Sequence, residues 1–265
     1  MVASSILRLQ SVLRTMSSTA AAVHTRTLTS FSTCELSDAL IKLGLPHGGH
    51  IPDIRMFSPA NSSETRVCGP AYTVLMVLAS DTAAPKLSAH FVDTAPQGSV
   101  IVIDAPPRSV STSLSPSKPP LTLTEAKNAV WGGLMTAGAQ SRGALGVIIS
   151  GRCRDLAEHR AASFPVFARG NSTLGQSPFT RPSAVNVPLV IAPQGAAQDG
   201  SFPAVHIQPG DWMVADEDGI VCVPVDLVTK VVELAAKGRE IDERCMQDIK
   251  AGKGVQETFK LHRGK

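Results

Sequence analysis

The chain has 265 residues, 43% of them hydrophobic, with 21 Gly, 19 Pro and only 4% aromatics, which suits a sizeable core of aliphatic strands joined by many turns. A formal charge of +3, with no basic block carrying interleaved aromatics, gives no nucleic-acid-binding reading, and no apolar run reaches the length of a membrane span. The five cysteines, at 34, 68, 153, 222 and 245, form no CxxC pair, so neither a disulfide framework nor a zinc cluster is indicated, and reduced thiols in an intracellular compartment fit best.

Residues 1–32 differ from the rest. They hold Arg8, Arg14, Arg26 and His24, many Ser and Thr, and no Asp or Glu. ILRLQSVLR suits a short basic amphipathic helix, so the segment reads as a mitochondrial transit peptide directing the chain to the matrix, or as a disordered tail. Met16 as a downstream start would give a cytoplasmic form. A helix follows over CELSDALIKLGL, capped by Ser32 or Thr33, with Glu35 in its first turn and Leu36, Ala39, Leu40 and Leu43 on one face. Gly44 and Pro46 stop it, and PHGGHIPDI is loop. CGPAYTVLMVLA is a strand, Lys86 to Ala95 a short helix or helical turn, and GSVIVIDA a strand ending in Asp104. The Pro- and Ser-rich residues 106–124 form a surface loop.

The next helix begins near Gly133 and is followed by the strand ALGVIIS. CRDLAEHR enters a turn or short helix. FPVFARG is a strand, a Ser/Gly/Pro loop runs through residue 183, and AVNVPLVI is another strand. IQPGDWMVADEDGIVCVP gives two strands joined by the tight turn DEDG. VDLVTKVVELAAKGREIDERCMQDIKAG is the last helix, with Gly238 as a candidate break, and residues 258–265 are a tail. The class is α/β, with one domain over residues 33–257. No GxGxxG, GxxxxGK, GxSxG or HExxH is present, and no glycine-rich loop suits a methyltransferase cofactor.

The chemistry concentrates between WGGLMTAGA and SGRCRD. Twenty residues separate Gly133 from Arg154, the length of a three-turn helix and a strand, so the helix start and Arg154 return to one crevice. The N–H groups of Gly132, Gly133, Leu134 and Met135 suit a carboxylate. Arg154 offers a planar two-donor fork for the same group. Asp155 suits a hard divalent ion, Mg²⁺ or Mn²⁺, which would polarise a 2-keto oxygen and stabilise an enolate. The alternative is an exposed Arg-Asp pair and a plain Gly-Gly turn. Glu158 and His159 read as surface or supporting groups, and Arg152 as a second anion contact or a solvated side chain.

CGPAYTV, the strand ending at Asp104, AVWGGLMTAGAQSRGALGVIISGRCRDLAEHR, FPVFARG, NVPLVI and PGDWMVADEDGIVCVP together resemble the RraA-like family. That family includes metal-dependent, class II 4-hydroxy-4-methyl-2-oxoglutarate aldolases. FPVFARGNSTLG and LAEHR look like its fungal members. The resemblance implies a swivelling β/β/α sandwich of the phosphohistidine-domain type, assembled as a homotrimer or hexamer with the site at a subunit boundary. It implies a divalent-metal-dependent lyase for small 2-keto diacids, cleaving 4-hydroxy-4-methyl-2-oxoglutarate or decarboxylating oxaloacetate to pyruvate. Gly132 to Met135 then match the carboxylate cradle, Arg154 the substrate-binding arginine and Asp155 the metal ligand. Glu35 and Asp38 match acids of a water network, and Asp218 or Glu217 an acid from the adjacent subunit. The family also contains members that inhibit a ribonuclease, so the alternative is a non-catalytic regulator that binds and modulates another enzyme.

Overall fold

A computed structural model describes residues 24–25, 27–60, 65–106, 126–194 and 202–264. Residues 1–23, hence most of the segment read as a leader, and residues 107–125 of the Pro- and Ser-rich loop lie outside the described residues. The chain divides into two compact units, Met1–Gly48 with Asp226–Lys265, and Gly49–Val225.

The larger unit is an α/β sandwich. Its strands are β1 (Arg55–Ser58), β2 (Val67–Leu78), β3 (Val100–Asp104), β4 (Ala129–Trp131), β5 (Gly146–Cys153), β6 (Val166–Asn171), β7 (Thr180–Val185), β8 (Leu189–Ile191), β9 (Val205–Ile207), β10 (Trp212–Ala215) and β11 (Ile220–Val223). The main sheet runs β1-β6-β5-β3-β2-β10-β11, with β4 added to β5 and β7 to β2. The neighbours β2, β3, β5 and β6 are parallel. Both faces of this parallel set are covered, which is why its strands read as near-continuous aliphatic runs. Ile101, Ile103, Val147 and Ile149 pack on the side of helix α2 (Gly133–Ser141) and α3 (Leu156–Ala161), together with Ala139 and Phe164. Val100, Val102 and Ile148 alternate to the other face, where Leu189, Ile191, Val205 and Ile207 of the β8–β9 pair cover them.

Several elements depart from the sequence reading. AVNVPLVI is two strands, parted at Asn186, whose φ is +53°. The loop expected through residue 183 contains the start of β7, and Lys86–Ala95 contains turns and no helix. β5 continues three residues past the apolar run, through Gly151, Arg152 and Cys153.

The smaller unit is helical: α1 (Thr33–Lys42), α4 (Val228–Lys250) and α5 (Val255–Arg263). Ser32 and Glu35 form a reciprocal capping box at the start of α1, as the sequence Ser-Thr-Cys-Glu favours. Glu35 also receives two hydrogen bonds from Arg239 of α4, at 2.6 and 2.7 Å. The same guanidinium lies 4.4 Å from the ring centre of Phe31 and donates to the Ser30 carbonyl. Leu28 and Phe31, ahead of α1, are buried. α4 is unbroken at Gly238, where an added methyl would meet only the Lys42 ammonium. The segment read as a C-terminal tail is mostly α5. It buries Thr258, and its His262 bonds Asp248 of α4 at 2.8 Å.

Candidate functional site

The parallel strands end where the apolar sequence of β5 gives way to charge. There β4 pairs with β5, Trp131 opposite Cys153, and the Arg154 N–H donates to the Trp131 carbonyl at 2.9 Å. β4 is only three residues long and feeds directly into Gly132, the extended N-cap of α2. The helix start and Arg154 are therefore neighbours at the carboxyl ends of the strands, where ligands sit in open α/β sheets.

Two glycines make the slot for the guanidinium. A methyl on Gly132 would lie 3.2 Å from Arg154 Nε, and one on Gly175 would lie 2.7 Å from Arg154 Nη1. Asp155 adopts a left-handed conformation, φ +60°, which Asp tolerates better than most residues. Its Oδ2 accepts the Gly133 N–H at 3.0 Å and lies 3.3 Å from Arg154 Nε. The Met135 N–H donates to the Gly132 carbonyl. Of the donors expected to cradle a carboxylate, the N–H groups of Gly132 and Leu134 are left without a partner among the described residues.

These groups line a crevice of about 150 Å³ together with Trp131, His90 and Gln176. At ~10–15 Å³ per water-sized occupant this has room for about ten or more waters, enough for a small metabolite. Behind the wall, Trp131 Nε1–H donates to Thr136 Oγ1 at 2.9 Å, and Thr136 Oγ1 lies 2.9 Å from His159 Nδ1. His159 is fully buried, and that burial lowers its pKa. The Cys153 thiol is pushed up to about 11, chiefly by burial, so it is protonated at neutral pH and is no nucleophile.

The structure thus brings together Gly132, Gly133, Leu134, Met135, Arg154 and Asp155. Glu35 and Asp38 belong to α1 of the helical unit, where the Arg239 hydrogen bond is the main cause holding the Glu35 carboxyl below its ordinary pKa. Asp38 is exposed. Glu217 and Asp218 are exposed in the β10–β11 turn, next to Ala215, which pairs with Val67 at the start of β2. That is the opposite end of the parallel strands from Arg154. His90 and Gln176 were not expected, since each lies in a loop with no motif of its own.

The metal centre expected at Asp155 is corrected by the donor set. No group of three or more His, Cys, Asp or Glu side chains that could hold a metal ion exists among the described residues. Asp155 instead faces the helix start and Arg154. The Mg²⁺ or Mn²⁺ cofactor, and with it the metal-dependent aldolase and oxaloacetate decarboxylase reading, is withdrawn.

Residues 33–222 match the family described as RraA-like: Aldolase/RraA. Among curated proteins the chain is 26% identical to Protein DlpA of Legionella pneumophila over 232 residues, which are 87% of this chain and 32% of DlpA. It therefore spans about a third of that relative's length. It is 29% identical over 185 residues to a protein of Halalkalibacterium halodurans named as a 4-hydroxy-4-methyl-2-oxoglutarate aldolase of putative status, covering 70% of this chain and 72% of that one. Among solved structures, an uncharacterized protein from Pseudomonas syringae pv. tomato str. DC3000 aligns with a TM-score of 0.67 at 30% identity, covering 90% of this chain and 97% of that one. Streptomyces coelicolor RraAS2, described as an unusual member of the RNase ES inhibitor RraA protein family, aligns with a TM-score of 0.62 at 22% identity, covering 83% and 93%, a likeness of fold. These relatives are bacterial, and the fungal affinity expected from FPVFARG and LAEHR finds no support in them. Among the described residues no helix is long and apolar enough to cross a membrane.

Proposed function

The chain belongs to the RraA-like family, and from that premise we propose that it is a binding member, a regulator that holds a small carboxylate in the Arg154 crevice and modulates a second enzyme on which it docks. The observation that carries the reading is the pairing of the half-exposed Arg154 guanidinium with the unpartnered Leu134 N–H in a crevice with room for a small molecule. A planar cation and a helix-start amide are suited to one carboxylate. Docking is supported by apolar side chains on segments that line the crevice: Leu134 is 82% exposed, Leu174 45% and Phe179 44%. The RNase ES inhibitor family named for the Streptomyces protein is the precedent for such a role.

The assembly is a homotrimer or hexamer that brings the Glu217–Asp218 turn of one subunit to the crevice of the next. This is supported by the position of that turn at the strand ends remote from its own Arg154. The basic, acid-free residues 1–32 direct the chain to mitochondria. The deciding experiment follows pyruvate and oxaloacetate by NMR with and without added Mg²⁺, correcting for spontaneous decay. Saturable binding without accelerated consumption, lost in Arg154→Met, is expected. Accelerated consumption of either ligand under either condition overturns the regulator reading.

A further inference from the structure

The crevice has a second polar pole. His90 lines it, with its ring stacked on Phe91 at a centroid distance of 4.7 Å. Phe91 is fully buried and packs in turn on Trp131, so the stack rests on the crevice wall. The Val92 N–H donates to His90 Nδ1 at 3.2 Å. An imidazole whose Nδ1 accepts must carry its proton on Nε2 when neutral. That Nε2–H has no partner among the described residues. The half-buried Gln176 side chain lines the same crevice, and its amide is likewise without a protein partner among the described residues. Its backbone carbonyl is occupied by the N–H groups of Phe179 and Thr180, which fix the turn that presents it.

We propose that His90 is a specificity-determining residue of the crevice. With Gln176 it donates to a second acceptor group on a ligand whose carboxylate is held by Arg154 and the Leu134 N–H. This rests on the carboxylate-binding reading above and adds to it which carboxylates are retained. A ligand with one carboxylate and an apolar end leaves the Nε2–H and the Gln176 amide without the hydrogen bonds a second acceptor would give them, and a site built to hydrogen-bond a ligand group disfavours the analogue that lacks it. The loop carrying His90 follows a segment tied down by Arg181, whose guanidinium donates to the carbonyls of Asp81, Ala84 and Pro85 at 2.6 to 2.7 Å.

The test uses two four-carbon ligands, succinate with a second carboxylate and butyrate with a terminal methyl, titrated calorimetrically into the full chain. Wild type should bind succinate roughly tenfold more tightly than butyrate. His90→Phe keeps the ring stack and should abolish the preference by weakening succinate much more than butyrate. His90→Gln restores an N–H at the Nε2 position and should recover part of the preference, which a merely structural role for the ring would not produce. Arg154→Met should weaken both ligands together. An unchanged succinate-to-butyrate ratio in folded His90→Phe overturns the role of His90 and leaves the carboxylate reading standing. No preference in wild type does the same. Failure of wild type to bind either ligand overturns the carboxylate reading itself.

Discussion

Asp155 Oδ2 stands 3.0 Å from the backbone nitrogen of Gly133, so the first free donor of α2 is already met by a carboxylate of the chain itself. The same oxygen faces Arg154 Nε. An incoming carboxylate must share both the helix start and the guanidinium with this resident acid.

Neutralising that acid should therefore tighten anion binding. Asp155→Asn keeps the shape and tolerates the left-handed backbone. Removing one negative charge from a helix start and its neighbouring arginine is worth ~0.3–1 kcal/mol or somewhat more, so butyrate affinity should rise roughly two- to tenfold, with a melting temperature close to wild type. Calorimetry decides it, and weaker binding in a folded Asp155→Asn protein would show that the acid assists the ligand.

β5 admits no added methyl at Gly151. A Cβ there would lie 2.7 Å from the Cβ of Ala105, and both atoms are fixed by backbone. Gly151→Ala should cost roughly 1–3 kcal/mol of stability. The double variant Gly151→Ala, Ala105→Gly should recover most of the clash term in chemical denaturation, and purely additive losses would place the cost elsewhere.

His159 sets a pH dependence. Its folded-state pKa is below the ordinary 6.5, with burial the largest cause, opposed by the Arg154 backbone and by the charges of Asp155 and Glu158. The unfolded chain then takes the proton first. Stability from the neutral buried ring is full above about 6.5 and is lost as pH falls through the lower folded value. Melting temperature should decline over that window in wild type, and the decline should be shallower in His159→Gln. Parallel profiles for the two proteins would remove His159 as the cause.

At α1 the sign is the same for a carboxylate. Glu35 has a lowered pKa, first because Arg239 hydrogen-bonds it. Its contribution is present above the ordinary value of 4.5 and disappears as pH drops through the folded one. A double-mutant cycle of Glu35→Gln and Arg239→Met should give a coupling of no more than about 1 kcal/mol for this partly exposed pair, vanishing in acid. A coupling that persists at low pH would mean packing on Phe31, not charge, holds the pair.

The aliphatic runs GSVIVIDA and GVIIS announce the central strands because both their faces are buried, and Ser32 with Glu35 announces the capping box. β4 was not legible, since three residues before a glycine carry no periodicity. β7 was hidden because Thr-Arg-Pro-Ser reads as loop, and its Pro182 sits where its register with β2 shifts between Leu75 and Met76. Arg154 could be read at the strand end, but the direction in which Asp155 turns depends on one backbone angle that sequence does not disclose. His90 and Gln176 reach the crevice from distant loops, so only the folded chain shows them together.

The double role of Glu35, capping α1 while gripping Arg239, ties the residues just ahead of that helix to the far end of the chain. A proteolytic cut or engineered start placed between Phe31 and Thr33 would remove the buried Leu28 and Phe31 side chains and leave Arg239 without its aromatic shelf. A leader shed upstream of residue 27 would leave that junction whole, whereas trimming a few residues further would release α4 from its anchor.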